Sequence, residues 1–249
     1  MKPIKELGQN FLVDEDIVEE LVGAGEVTKE DVVLEIGSGL GFVTKKLAEA
    51  AGEVVAVEID SNLIHILQNN LGTINNVTLI NDDALSVLKD LTKIYPKINK
   101  TVSSIPFQIT SPLLHELVGV KDQLKLAALL IQKEVAERVC AKTPDSNYMA
   151  TFLQTFFEIS YVIDVPNTSF NPVPQVDVAI VVLKTLEEQV IQPEEVEKYS
   201  KFLHHGFSQQ RKMLNKRFDV KLLEDVGIDQ TRRAESLSIE EWLKLFRKA

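Results

Sequence analysis

Apolar and polar positions along the first three quarters of the chain switch between two periods. Short apolar or β-branched runs at 32–36, 54–59, 77–81, 101–103 and 124–132 read as buried strands. Helical spacing fills the intervals: a helix from 43 to 51, another over 62–71, a short segment after Asp83, and one over 111–118 with Pro112 in its first turn. Such alternation predicts a mostly parallel sheet with helices on both faces. Two later strands, 158–165 and 178–186, flank the turn Asn171-Pro172-Val173-Pro174 and read as a hairpin that closes the sheet antiparallel. From 194 onward the spacing is helical throughout, over 194–205, 209–218, 221–226 and 239–248, the last with Trp242, Leu243 and Phe246 on one apolar face. The expected architecture is α/β: a doubly wound sheet with an antiparallel closing hairpin, then a small C-terminal helical domain. A boundary near 187–193 gives domains 1–187 and 188–249.

The candidate chemistry begins where the first strand ends. Val32-Val33-Leu34-Glu35-Ile36 breaks into Gly37-Ser38-Gly39-Leu40-Gly41, and the next strand ends on Glu58 and Asp60. Successive glycines let backbone N–H groups approach a ligand closely, and a carboxylate at the tip of the neighbouring strand can accept from a ribose diol. The dinucleotide fingerprint G-x-G-x-x-G fails, because position 42 is Phe and the third glycine is Gly41. Glu35-x-Gly37-x-Gly39-x-Gly41 instead resembles the first motif of class I methyltransferases that bind S-adenosyl-L-methionine. That cofactor has no pyrophosphate to cradle.

Composition narrows the setting. With 249 residues and 45% apolar side chains, the chain can bury a large core. No apolar run approaches the ~18 to 20 residues of a membrane span, and the opening residues 1–6 lack the apolar stretch of a signal peptide. A cytoplasmic protein without membrane partners is the expectation. The single cysteine, Cys140, excludes an internal disulfide and reads as a small apolar residue on a helix. His65, His115, His204 and His205 have no metal-ligand company in sequence, so no metal is expected. A net charge of −10 argues at first against nucleic acid, but residues 190–249 hold 12 Lys/Arg against 10 Asp/Glu. Between 201 and 218 lie Lys201, Arg211, Lys212, Lys216 and Arg217 with no acidic residue. A solvated helix face is the plain alternative to an RNA contact there.

Further motifs follow in order. Gly8-Gln9-Asn10-Phe11-Leu12 opens the chain; Asn81-Asp82-Asp83-Ala84 follows the third strand, and Ser104-Ile105-Pro106-Phe107 the fourth. Phe170-x-Pro172-x-Pro174-x-Val176-Asp177 and Phe207-x-x-x-Arg211-Lys212-x-Leu214 come later. Together they resemble the small-subunit rRNA adenine N6,N6-dimethyltransferases, the family named for kasugamycin resistance in bacteria, over nearly the whole chain. The resemblance implies a class I, Rossmann-like methyltransferase acting in ribosome biogenesis, with S-adenosyl-L-methionine as cofactor. Its partner would be small-subunit rRNA in an immature ribosomal subunit, met by a monomer.

The resemblance also implies residue roles. Asn10 and Leu12 would close over the cofactor, Gly37, Gly39 and Gly41 lie against its methionine and ribose parts, and Glu58 takes the ribose hydroxyls. Ile59 would flank the adenine ring, Asp83 accept from its amine, and Ser104 contact the methionine end. Ser104, Pro106, Phe107 and Phe170 would form the catalytic set, with the two aromatic rings sandwiching the target adenine, and Arg211, Lys212, Lys216 and Arg217 would hold RNA. The family usually has asparagine at the position of Ser104 and tyrosine at that of Phe107; serine keeps an acceptor oxygen and phenylalanine a stacking face. Two other readings share these residues: a large-subunit rRNA adenine methyltransferase, and a non-catalytic ribosome-assembly or transcription factor that keeps the fold.

Overall fold

The computed structural model describes residues 9–249 apart from Thr73 and Gln210, and omits the side chains of Leu91 and Thr92. Gly8, which opens the first motif, lies outside the described residues. In chain order the elements are β1 (Phe11–Leu12), α1 (Glu15–Ala24), β2 (Val32–Ile36), α2 (Phe42–Ala50), β3 (Glu53–Glu58), α3 (Ser61–Leu71), β4 (Val77–Asn81), α4 (Ala84–Lys89), α5 (Leu91–Ile94), β5 (Lys100–Ser104) and α6 (Thr110–Gly119). There follow β6 (Leu126–Gln132), α7 (Lys133–Cys140), α8 (Tyr148–Gln154), β7 (Phe157–Val165), β8 (Phe170–Asn171), β9 (Val178–Thr185), α9 (Val196–Phe207), α10 (Val220–Asp225) and α11 (Ile239–Lys248).

Seven strands form one sheet in the order β4-β3-β2-β5-β6-β9-β7. The pairs β2–β3, β3–β4, β2–β5 and β5–β6 are parallel, and β9 runs antiparallel to β6. This is the doubly wound sheet with an antiparallel close that the hydrophobic pattern predicts. The physical cause is burial on both faces: Val33, Leu34 and Ile36 of β2, Val54 to Val57 of β3, and Leu126 to Ile131 of β6 are all buried. Each such Val, Leu or Ile is worth roughly 1.5 to 3 kcal/mol relative to exposure. Strand order reverses between β2 and β5, so the crevice at their carboxyl ends is the expected ligand site. A separate two-stranded sheet pairs β1 with β8 antiparallel, Leu12 opposite Phe170. Two-residue strands carry no periodic signal, and the pattern of hydrophobic positions does not anticipate them.

The chain divides into two compact units, residues 1–136 with 158–185 and residues 137–157 with 186–249. Against the expected division at 187/188, the second boundary falls at 185/186 and 137–157 groups with the C-terminal helices. Aromatic packing within the second unit is the reason. The Phe156 ring meets Phe152 and Tyr199 edge-on, and the Thr155 hydroxyl lies 3.1 Å from the Tyr199 hydroxyl. Tyr199 and Phe202 of α9 in turn pack on Phe246 and Trp242 of α11. On α11 the buried residues are Trp242, Leu245 and Phe246, with Leu243 only half-buried.

The helix expected over 209–218 does not form. Its described part is a loop with a short 3₁₀ turn, Leu214–Lys216, and the Leu214 and Asn215 N–H groups donate to the carbonyls of Arg232 and Gln230. Those non-local bonds replace the helical ladder and leave no trace in local spacing. Among the described residues no helix is long and apolar enough to cross a membrane.

Gly206 on α9 is where the second unit leaves least room. A Cβ there would lie 2.4 Å from Trp242 Cη2 and 2.9 Å from Cζ3, against a ring with no exposed surface. Gly206→Ala should lower stability by about 1 to 3 kcal/mol through overpacking, seen as an earlier urea midpoint. An unchanged midpoint would mean that the Trp242 ring moves aside at no cost.

Candidate active site

The glycine turn hangs from the end of β3. Gly37 N–H and Ser38 N–H both donate to the Val57 carbonyl, at 2.9 and 3.3 Å, and the Ser38 hydroxyl joins them at 3.2 Å. The buried carboxylate of Glu58 completes the brace: Oε2 accepts from Gly39 N–H at 2.9 Å and Oε1 from Asp60 N–H at 3.0 Å. Gly37 and Gly39 have positive φ of 75° and 56°, and a Cβ at Gly37 would sit 3.0 Å from Pro106 Cδ. Only glycine lets the turn and the loop after β5 meet this closely. Asp60 caps α3 by accepting from Asn62 N–H, and its other oxygen accepts from Gln9 Nε2 at 2.8 Å. Burial alone would raise its carboxyl, but these hydrogen bonds hold it below the usual range.

Glu35 lies behind the turn, 2% exposed, with Oε2 unpartnered in a small cavity bordered by Asn10, Gly37, Ser38, Gly39 and Ser104. Burial pushes its carboxyl up to about 8; the Thr44 hydroxyl and N–H pull it down, and the Glu58 charge adds to the rise.

The crevice at the β2–β5 switch point brings ten of the candidate residues together. Asn10, Gly37, Gly39, Glu58, Ile59, Asp83, Ser104, Pro106, Phe107 and Phe170 all line it. Asp83 caps α4, its Oδ1 accepting from Leu85 N–H. Ile59 is 55% exposed and offers an apolar face. Ser104 ends β5, and its hydroxyl has no partner among the described residues. Phe107 opens a 3₁₀ turn, half-buried, whereas Phe170, on the same crevice, is 2% exposed and packs in the core.

Two predicted contacts fall elsewhere. Leu12 is a core residue that borders the small cavity behind the turn. Gly41 caps α2 in the left-handed conformation, and a Cβ there would meet Leu67 Cδ2 at 2.8 Å. It lines a different depression on the surface of the first unit. The third glycine of the motif therefore serves helix packing. Gln9 and Phe11 of the opening motif also line the crevice, as do Leu63 and Gln108, which carry no signal of their own in sequence.

In the second unit, Arg211, Lys212 and Lys216 are exposed and no ion pair engages them among the described residues. Arg217 is committed: its Nε donates to the His205 carbonyl at 3.0 Å, and its Nη2 lies 3.1 Å from His205 Nδ1. Among the described residues no group of three His, Cys, Asp or Glu could hold a metal ion.

A mostly parallel sheet with an antiparallel close, this glycine turn, strand-tip carboxylate and switch-point crevice define a class I methyltransferase fold. Residues 2–249 match the family described as ribosomal RNA adenine dimethylase, and the chain belongs to that family. It is 36% identical to a ribosomal RNA small subunit methyltransferase A from a Sulfurihydrogenibium species, over 99% of this chain and 96% of the relative. A dimethyladenosine transferase from Plasmodium falciparum superposes with a TM-score of 0.82 at 27% identity, over 94% of this chain and 95% of the other. The 23S rRNA methyltransferase ErmE gives 0.76 at 25% identity, over 96% and 99%.

The Glu35 carboxyl makes a prediction about pH. Folded Glu35 keeps its proton up to about pH 8, against a usual value of 4.5. Its contribution to stability is therefore full below about pH 4.5 and is lost as pH rises through 8. Glu35→Gln removes this slope, so the variant should gain on wild type by on the order of a few kcal/mol between pH 5 and pH 8. Parallel urea curves at the two pH values would show that Glu35 is not the source.

Proposed function

We propose that this chain transfers methyl groups from S-adenosyl-L-methionine to the N6 amine of adenines in small-subunit rRNA, giving N6,N6-dimethyladenosine. The observation that carries the reading is the meeting of Glu58, Asp83, Ser104 and Phe107 around one crevice at the switch point. The residues fit the cofactor. Glu58 oxygens, each with one lone pair committed to a backbone N–H, keep a second for a ribose hydroxyl. Asp83 has an oxygen beyond its helix cap for the adenine amine, Ile59 an apolar surface for the ring, and Glu35 an orphaned oxygen behind the turn.

S-adenosyl-L-methionine supplies a methyl group on an excellent leaving group, so the chain's task is placement. Phe107 gives the target adenine a stacking face. The Pro106 carbonyl already accepts from Ile109 N–H at 3.1 Å and from Thr110 Oγ1 at 3.5 Å, which leaves Ser104 Oγ and the Ile105 carbonyl to hold the amine hydrogens. Holding them bends the nitrogen toward a tetrahedral nucleophile, and the nitrogen turns acidic as it is alkylated, so no strong base is needed. Adenine in paired RNA hides its amine; the substrate is an unpaired or flipped base. Phe170, which lines the same crevice, backs the base on its other face. Arg211, Lys212 and Lys216 hold the RNA backbone. The protein works as a cytoplasmic monomer on an immature small subunit.

The small-subunit reading rests on the names of the full-length relatives, since the ErmE fold is shared by the large-subunit enzymes. Labelled cofactor incubated with immature small subunits and, separately, large-subunit rRNA separates them: dimethyladenosine confined to the former is expected. Transfer to neither would leave a non-catalytic factor.

Phe107→Ala should slow transfer about 10- to 100-fold, since a base stack is worth roughly 1 to 3 kcal/mol. Cofactor affinity and melting temperature should stay near wild type, and near-normal dimethylation would end the stacking role. Changing Arg211, Lys212 and Lys216 together to Ala should flatten the salt dependence of RNA binding by about 2 to 3 in log–log slope. An unaltered slope would make the cluster a solvated face.

A further inference from the structure

The seam between β2 and β5 is built differently from its neighbours. β2–β3 and β5–β6 each run five residue pairs in register, but β2–β5 has only two, Val33 with Lys100 and Leu34 with Thr101. At the last of these pairs and just beyond it, two hydroxyls of β5 bridge to β2. Ile36 N–H donates to Ser103 Oγ at 2.8 Å, and Thr101 Oγ1 donates to the Leu34 carbonyl at 2.9 Å. The two hydroxyls lie 3.4 Å apart. With Thr101 committed as donor to Leu34, the Ser103 proton points to Thr101 Oγ1, and each hydrogen of the relay is used once. Both side chains are fully buried.

The two strands that part here carry the walls of the crevice. Ile36 precedes Gly37, and Ser103 precedes Ser104. Gly37 already lies so close to Pro106 that a Cβ would touch its ring. The gap between turn and loop is therefore set by how far the strands are held apart just before them.

We propose that Thr101 and Ser103 are positioning residues whose hydroxyl relay holds the carboxyl ends of β2 and β5 apart and so sets the width of the crevice for the amino-acid end of the methyl donor. The inference rests on the cofactor reading given above. Without the Ser103 hydroxyl, Ile36 N–H is a buried donor with no acceptor, and the strands recover a bond by closing. Closure narrows the space between Gly37 and Ser104, while Glu58 and Asp83 lie on the β3 and β4 side of the turn. The nucleoside half of a ligand is spared and the half carrying the amino acid is not.

The test uses the full chain and two ligands, S-adenosylhomocysteine and 5′-methylthioadenosine, which share the nucleoside and differ in the amino-acid tail. By calorimetry, Ser103→Ala should bind S-adenosylhomocysteine about 10-fold more weakly or worse, with methylthioadenosine within about 2-fold of wild type. Thr101→Val, which keeps the shape and removes the hydroxyl, should do the same, and Thr101→Ser should rescue. Amide exchange over 33–37 should quicken in Ser103→Ala. If both ligands weaken together, or neither does, the relay is only structural and the inference falls. Should Ser103→Ala not fold, the Thr101→Val and Thr101→Ser pair decides by the same comparison. If wild type binds neither ligand, the cofactor reading itself fails and takes the inference with it, an outcome distinct from selective failure in the variants.

Discussion

A buried carboxylate must be satisfied by the protein around it, and Glu58 is satisfied by the two turns that make the active crevice. Its oxygens take Gly39 N–H from the turn after β2 and Asp60 N–H from the turn after β3. Leaving such a group half-paired costs on the order of several kcal/mol, so both turns are held in one conformation before any ligand arrives. The Val57 carbonyl accepts three more, from Gly37 N–H, Ser38 N–H and the Ser38 hydroxyl. Preorganisation of this kind costs nothing at the moment of binding, which suits a site whose chemistry is placement.

The opposite end of the same sheet shows why the crevice opens where it does. Asp31, just before β2, pairs with Lys100 of β5 at 3.0 Å and accepts from Asn99 Nδ2 at 2.8 Å, while Asn99 Oδ1 accepts from Val32 N–H. Burial works to raise the Asp31 carboxyl, but Lys100, Thr28 and Asn99 hold it at about 2. The amino ends of β2 and β5 are thus clamped by charge, and the carboxyl ends are spaced by hydroxyls. One seam is closed at one end and open at the other. A doubly wound sheet offers a crevice at the switch point by topology alone; in this chain, side chains at both ends of the seam shape it.

Much of this was legible in the sequence. The strands β2, β3 and β6 follow directly from continuous apolar runs, because a parallel sheet buries both faces, while the edge strand β4 and the hydroxyl-rich β5 show through their β-branched residues and α11 through its helical period. Glu58 and Gly37 were legible because a strand tip and a glycine turn have fixed places relative to each other. Gly41 and Leu12 lie outside the crevice lining for a common reason. A motif gives spacing along the chain, but whether a residue faces the ligand or the core depends on the helix or sheet it enters. The 209–218 segment failed because its backbone bonds go to residues 230 and 232, and local period cannot report a partner that far away. The Thr101–Ser103 relay was invisible for the same reason, since its partners are 67 residues distant.

Charge shows how geometry alters a count. The segment from 201 to 218 carries five cations in sequence, but Lys201 pairs with Glu197 one turn earlier and Arg217 is folded onto His205. Arg232, which follows, is spent on both carboxylate oxygens of Glu241, itself the residue that completes the Ser238 cap of α11. Arg247 and Lys248 are held by Glu195 and Asp225. Among the described residues of 201–218, the cations left without an ion pair or a side-chain partner are Arg211, Lys212 and Lys216, fewer than the sequence suggests. Surface charges act over about 8 Å at physiological salt. A phosphate beside these three side chains therefore feels their local field far more than the −10 of the whole chain, and an acidic protein can still present a basic contact to RNA.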